Sequence, residues 1–566
     1  MAKLRLAILM LLCATSLLLA QDQAAPAQVA PAAKPAIRAA LPPSAAAAMD
    51  QINPERIRAT VKFLADDLLE GRGTGARGGD IAALYLATEF ETMGLKPAGD
   101  NGTYFQKVPM VGVTTEPGTT MEFVPAGGGA PIALRYLDDF VVNNQTAQPV
   151  SDIDAPVVFV GFGIEAPEYR WNDFKNADVR GKVLLMFVNE PPSDDVKFFK
   201  GKALTYYGRW TYKYEEAARK GAVGVVLIHR TDLASYGWNV VRTSWSGENS
   251  QLADDRNPKL EAASWVQLAV AEQLAGSIGK NVDQLYQMAQ SRDFQPVPLP
   301  MRLIAHVVSR ARPFSSSNVL AELPGTDRAA QAILYTAHYD HLGIHPDEPP
   351  PNIYHGAADN ATGCGILLEI ARAFARVTPR PRRTILFASV TGEEQGLLGS
   401  EYLGQHPPIP AKNISLDLNF DDVQPLGVPE EVEVSGAERT TFYPVVESMA
   451  RQFAMAIKPD SNPGAGYYYR SDHFSLARVG IPAFSVNQGL KFQGHTREWG
   501  EEQQKEFTAK HYHQPSDEYR PDMDFRGDAR IAQFGFALGW TAASQPQEVQ
   551  WLPGDEFEAA RKASQH

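Results

Sequence analysis

Cysteine is almost absent: the 566 residues contain two, Cys13 and Cys364. Removing an N-terminal leader that includes Cys13 leaves one thiol, so an internal disulfide framework is excluded. Positive charge is also in deficit. There are 53 Lys and Arg against 66 Asp and Glu, a formal net charge of -13, and no basic stripe stands out, which excludes a nucleic-acid footprint. A long apolar run occurs only at the start, where residues 6–20 follow the basic head Met1-Ala2-Lys3-Leu4-Arg5. That run is short for a membrane span and reads as a secretory signal peptide over 1–20. The chain is therefore expected to be exported, to a periplasm or the exterior, without stable membrane association after cleavage. Leu18-Leu19-Ala20 is a poor small-x-small site, so the cleavage point is open, and Met10-Leu11-Leu12 before Cys13 does not suit a lipid anchor.

What is present is the composition of an ordinary globular protein, 44% hydrophobic and 21% charged, in a chain long enough for two or more domains. Residues 21–48 are mostly Ala and Pro and read as a flexible linker. Apolar residues at helical spacing predict a helix over 54–64 and another over 81–93. Between 111 and 298 the texture changes to short β-type runs at 156–161, 181–188 and 221–228, with a helix at 214–220. No set of potential ligands occurs there, and His229 reads as structural. After 317 strands at 332–337, 384–390, 414–420 and 481–486 alternate with helices at 365–376, 397–403 and 443–453. That rhythm predicts an α/β fold with a mixed, largely parallel sheet flanked by helices on both faces. A closing helix is expected at 528–543 with Asp528 as its cap, followed by a frayed tail over 546–566.

Chemistry concentrates at the strand ends of this second region. Thr391-Gly392-Glu393-Glu394-Gln395-Gly396 follows the apolar run 384–390. Two adjacent carboxylates at the mouth of a buried strand repel, and burial adds a desolvation cost. A cation relieves both, one carboxylate ligating it while the other moves protons. The other strand ends supply His338-Tyr339-Asp340, Asp359-Asn360 and Asn419-Phe420-Asp421, and Tyr512-His513 stands near the C-terminus. In open α/β sheets the carboxyl ends of the strands are where ligands bind. Two imidazoles and three carboxylates suit zinc, with cobalt or manganese as substitutes. One carboxylate bridging two ions about 3.5–4 Å apart would make a co-catalytic pair. Taken singly, Asp359 also fits a helix cap, Asp421-Asp422 a solvated loop, and His513 a turn.

His338-x-Asp340, Gly-Ala-x-Asp359-Asn-Ala-Thr-Gly, Gly-Glu393-Glu394-x-Gly-Leu-x-Gly-Ser, Asn-Phe-Asp421 and Tyr512-His513, in that order and spacing, resemble the secreted di-zinc aminopeptidase family. The resemblance covers about 50–110 and 315–543. It implies a catalytic domain from 49–110 and 299–545, with 111–298 an inserted, β-rich protease-associated domain. It also implies two zinc ions: His338 and Asp421 on one, Glu394 and His513 on the other, Asp359 bridging and Glu393 free as general base. Asp421 is preferred to Asp417 because it completes the family's Asn-Phe-Asp and because Asp417 falls inside the strand. Tyr512 would stabilise the oxyanion. Asp340 would orient His338 and Asp517 would orient His513, while Arg470, Asp472 and His473 would shape the pocket for the substrate's amino end. Ala358 departs from the pattern, since many relatives carry an acid there. The long loop from His341 adds His345 and His355, three imidazoles able to crowd the site or to bind metal. Cys364 reads as packing.

The activity so implied is metal-dependent removal of N-terminal residues from peptides. A single-zinc glutaminyl-cyclase-like acyltransferase, a carboxypeptidase on the same fold and a non-catalytic binding module are the alternatives. Side-chain preference and oligomeric state are not written in the sequence.

Overall fold

The computed structural model describes residues 41–564 except 235, 346, 347, 461 and 462, so the leader expected at 1–20 lies outside the described residues, as does the linker up to residue 40. The chain opens with helices α1 (Pro43–Met49), α2 (Pro54–Leu64) and α3 (Arg77–Thr92). α2 starts where it does because the Asn53 side chain accepts from the Glu55 N–H and Pro54 takes the first turn. α1 corrects the expectation of a tether as far as 48. Ala45, Ala46, Ala48 and Met49 are buried in the main core, alanine being both the best helix former and small enough for close approach.

The strands follow: β1 (Phe105–Thr115), β2 (Phe140–Asn143), β3 (Val150–Phe159) and β4 (Val183–Phe187). Helix α4 (Trp210–Arg219) leads to β5 (Gly224–Ile228) and β6 (Ala262–Val266). The 27-residue β7 (Val297–Leu323) is next, then β8 (Arg328–His338), α5 (Thr362–Ala375), β9 (Arg383–Val390), α6 (Leu398–Gln405) and β10 (Ile414–Asn419). Helices α7 (Tyr443–Gln452) and α8 (His473–Arg478), strand β11 (Ala483–Ser485), and helices α9 (Arg497–Lys510), α10 (Arg526–Ser544) and α11 (Glu558–Ser564) complete the set used below.

One mixed sheet runs in the order β11-β10-β8-β9-β7-β3-β4-β5-β6-β2. Strands β9, β8, β10 and β11 are parallel, as are β3, β4, β5 and β6. β7 is antiparallel to its neighbours on both sides, pairing through 297–308 with β3 and through 319–323 with β9, while β1 pairs with its middle stretch, 309–319. The boundaries expected at 110/111 and 298/299 thus fall inside two continuous strands.

Alternation along the central strands sorts side chains to two faces. Ile333, Tyr335 and Ala337 of β8, with Ile385 and Phe387 of β9, join the core under α1, α2, α3, α5 and α10. Ala332, Leu334, Leu386, Ala388 and Val390 face the other way, against Leu403 of α6 and Phe474, Leu476 and Ala477 of α8. Helices therefore cover both faces, as the strand–helix rhythm requires. Two expectations at the C-terminus are corrected. α10 begins at Arg526, and Asp528 is not its cap but lies buried in its first turn. The tail is not frayed as far as 564: Val549, Trp551 and Phe557 are buried, and the Arg561 guanidinium donates to the carbonyls of Ala411 (2.9 Å) and Ile414 (3.1 Å).

Candidate metal centre

The residues singled out at the strand ends meet at the carboxyl edge of β8, β9 and β10. His338 closes β8 and is buried. Its Nδ1 lies 3.2 Å from the Asp340 carbonyl, which leaves Nε2 directed at Asp421 Oδ1 (3.1 Å) and Asp359 Oδ1 (3.3 Å). The other oxygen of Asp359, Oδ2, is 3.2 Å from His513 Nε2, and the same nitrogen is 3.2 Å from Glu394 Oε2. Asp359 thus offers one oxygen to each of two imidazoles, the arrangement a bridging carboxylate needs. The base candidate Glu393 groups with His338 and Asp421, their ligand atoms within 4.8 Å of one another.

Neighbouring backbone and side chains hold these groups. The Asp340 carboxylate accepts from the Thr74 hydroxyl (2.8 Å) and the Glu393 N–H (3.3 Å). It therefore fixes the turn that carries Glu393, and beside the His338 ring its carbonyl oxygen stands nearer to Nδ1 (3.2 Å) than its carboxylate Oδ1 does (3.9 Å). Asp517 does not orient His513. Its carboxylate accepts from the N–H groups of Ala358 (3.0 Å) and Asp359 (3.1 Å), pinning the segment that precedes α5. Asp421 accepts from the Ser471 hydroxyl at 2.5 Å, and Asn419 Nδ2 donates to the same Ser471 oxygen at 2.7 Å. Asp417, the rival, stays within β10 against the Thr336 hydroxyl (3.1 Å) and does not reach the cluster. Asp359 is no helix cap, since the cap position of α5 is Ala361 and the Asp359 side chain faces the two imidazoles.

Electrostatics follow from burial and like charge. Burial pushes Glu393 well above the usual carboxylate range, and Glu394, Asp421 and Asp472 add to it against His338. Burial disfavours the His338 imidazolium, but the Asp421, Glu393 and Asp359 carboxylates together hold it well above the ordinary histidine value. His513 is pushed up to about 9, the Glu394 and Asp359 carboxylates outweighing burial. Asp359 is held well below the carboxylate range because its bonds to His338 and His513 overcome its burial. A site that attracts protons to imidazoles this strongly will also attract a divalent cation. The donor set fits one: Glu394 Oε1 is buried without a hydrogen-bond partner, and nitrogen and oxygen donors converge in two overlapping groups that share His338, beside a third made of Asp359, Asp421 and Asp422.

The remaining expectations divide. Tyr512 stacks on His513 with ring centroids 3.9 Å apart and is 41% exposed, at the mouth of the site. Asp472 and His473 are buried, so neither presents an open face to a substrate. Burial pushes Asp472 up to about 7 and His473 down to about 3. Arg470 is exposed and donates to the Ala465 carbonyl at 2.8 Å. Of the three loop imidazoles, His345 lies against the Tyr354 ring and His355 Nε2 is 2.7 Å from Asp67, both away from the cluster; His341 is inside it. Cys364 is packing: its thiol donates to the His338 carbonyl at 3.2 Å and burial pushes it up to about 12.

Sequence reasoning missed three contributors. Ser471 holds Asp421. Asp422 completes an acid trio with Asp359 and Asp421. Arg72, fully buried, donates to the carbonyls of Leu64, Tyr339, His355 and Gly356 at 2.5–2.8 Å and so closes the loop over the site. An arginine between glycines in Gly71-Arg72-Gly73 was the available signal for the last of these.

Fold and cluster together describe an α/β protein with imidazoles and carboxylates gathered at the sheet's carboxyl edge. Residues 318–534 match the model of peptidase family M28. A segment of 116 residues is 38% identical to a "probable zinc metalloprotease" of Pyrenophora tritici-repentis, covering 20% of this chain and 22% of the relative. A protein of the same description from Pyricularia oryzae is 37% identical over 114 residues, 19% and 21% of the two chains. The matched segment thus spans about a fifth of the length of these curated relatives. Among solved structures, an aminopeptidase from Aneurinibacillus sp. strain AM-1 aligns over 90% of this chain and 98% of its own at 17% identity, with a TM-score of 0.48.

Proposed function

We propose that the chain is a zinc-dependent exopeptidase that removes N-terminal residues from peptides, with Glu393 as general base. The observation that carries this reading is Asp359 facing His338 with one oxygen and His513 with the other. His338, Asp421 and Asp359 would hold one zinc, and His513, Glu394 and Asp359 a second. Bound there, the ions would supply a Lewis acid and a water whose pKa falls to about 7. Glu393 takes the proton of that water as the scissile carbonyl is attacked and passes it to the leaving amine nitrogen. Its buried setting suits it to carry that proton between two steps. The Tyr512 hydroxyl, at the open side of His513, donates to the developing oxyanion. Export, and a protease-associated role for 111–298 as a rim limiting substrate size, belong to the same proposal. Among the described residues no helix is long and apolar enough to cross a membrane.

The test pairs metal analysis with a peptide panel. The parent chain is expected to bind two zinc ions and to cleave N-free peptides, with chelator abolishing activity and zinc restoring it. Glu393→Gln is expected to keep both ions and lose at least about 10³-fold in kcat, at the upper part of what general acid–base catalysis contributes. Equal cleavage of N-blocked peptides would instead indicate a carboxypeptidase, and one ion per chain a cyclase-like enzyme.

A further inference from the structure

The His341 ring is fully buried, and neither of its nitrogens has a hydrogen-bond partner among the described residues. Its Nδ1 nonetheless lies 2.7 Å from Glu394 Oε1, an oxygen that is likewise buried and without a partner, and 3.8 Å from Asp359 Oδ2. The rings of His341 and His513 meet edge to face, with centroids 5.8 Å apart. A nitrogen and a carboxylate oxygen this close, yet not aligned as donor and acceptor, are not explained by a hydrogen bond. Leaving both polar atoms buried and unsatisfied would be costly. A cation drawn between them, with a small widening of the 2.7 Å gap, would satisfy both atoms at once. Glu394 through its other oxygen, Oε2, and Asp359 through the same Oδ2 also face His513 at 3.2 Å, so the two imidazoles flank the same pair of carboxylates.

We infer that His341 is a further protein ligand to the zinc position defined by Glu394, His513 and Asp359. This rests on the metallopeptidase reading above and adds to it an asymmetry between the two positions. The one beside His338 has three protein ligands, His338, Asp421 and Asp359, which leaves a place for water, as in catalytic zinc sites. The one beside His513 has four, the closed count of structural sites. The loop that carries His341 is fixed independently: its N–H donates to the Arg72 carbonyl at 3.2 Å, and the Arg72 guanidinium holds the loop's far end at Gly356. Zinc at the closed position should exchange slowly, and zinc at the open one should exchange fast and keep the attacking water.

X-ray absorption on the zinc-loaded parent chain counts the imidazoles directly. Three histidine ligands per two zinc ions are expected, and His341→Ala should reduce the count to two with the secondary structure unchanged by circular dichroism. Release of the slower zinc to a chelator should accelerate at least 10-fold in His341→Ala, with the faster zinc unaffected. His341→Gln, which keeps the volume, should behave like His341→Ala. A parent with two zinc ions and only two imidazole ligands overturns the His341 assignment and leaves the peptidase reading standing. A parent that binds no zinc overturns both.

Discussion

Single atoms decide whether the cluster can hold its charge. Asp421 is placed by the Ser471 hydroxyl at 2.5 Å, which is in turn fixed by Asn419 Nδ2 at 2.7 Å. Partners behind a metal ligand typically contribute 10–100-fold in affinity or activity. Ser471→Ala should therefore lower zinc affinity by about 10–100-fold while the chain stays folded, read as zinc per chain after dialysis against a graded chelator series. Unchanged affinity would remove Ser471 from the site's support. His473 gives a second, pH-dependent expectation. Burial lowers its pKa from 6.5 to about 3 in the folded chain, with Arg439 adding to the effect and Asp421 opposing it. Between those values the unfolded chain binds a proton that the folded chain refuses, so stability falls as pH drops through that window, by up to about 1.4 kcal/mol per pH unit. His473→Gln should thus gain on the parent in thermal midpoint as pH falls from 6.5 toward 3, and a difference independent of pH would contradict it. The five ligand candidates were legible in the sequence because the chemistry demands those residue types at strand ends. Ser471 and the true partners of Asp517 were not, since a hydroxyl or a carboxylate at a backbone N–H leaves no compositional mark.

At the level of elements, the Glu393–Glu394 turn depends on how closely α6 approaches the end of β9. Asn318 of β7 clamps the two, its Oδ1 accepting from the Thr391 N–H (3.0 Å) and its Nδ2 donating to the Gly399 carbonyl (2.8 Å). A Cβ on Gly399 would stand 2.0 Å from the Thr391 carbonyl oxygen and 2.5 Å from Asn318 Oδ1. Gly399→Ala therefore forces backbone apart, at a cost of about 1–3 kcal/mol. Because the displaced turn carries the base, kcat should fall further than stability does; a variant destabilised but fully active would show that the clamp serves packing alone. The sequence carried the strand–helix alternation of this half because the strands are short, mostly apolar runs separated by longer segments with helical spacing. It did not carry α1, whose alanines look like a linker until α5 and α10 are there to bury them. Nor did it carry the start of α10, because Asp528 resembles a cap although its carboxylate is buried within the first turn and burial pushes it well above the usual range.

At the scale of the whole molecule, β7 joins the metal-bearing half to the 111–298 region. Beyond residue 298, residues 302–308 pair with β3 on one side and residues 301–306 with the strand Thr120–Pro125 on the other. They also bring Leu299, Met301, Leu303, Ala305 and Val307 into the core of the 111–298 region. Each fully buried Leu or Val contributes about 1.5–3 kcal/mol, which together is comparable to the whole stability of an ordinary domain, about 5–15 kcal/mol. Texture alone placed the boundary at 298 because β7 alternates buried and exposed residues through that point with no turn to mark an end. A fragment cut at 111–298 should therefore fail to fold, having lost the strand that lies between β3 and Thr120–Pro125. A fragment of 116–308 keeps that strand and should give a dispersed amide spectrum and a cooperative thermal transition. If both fragments fold equally well, the shared strand is dispensable and the two halves are independent units joined in sequence only.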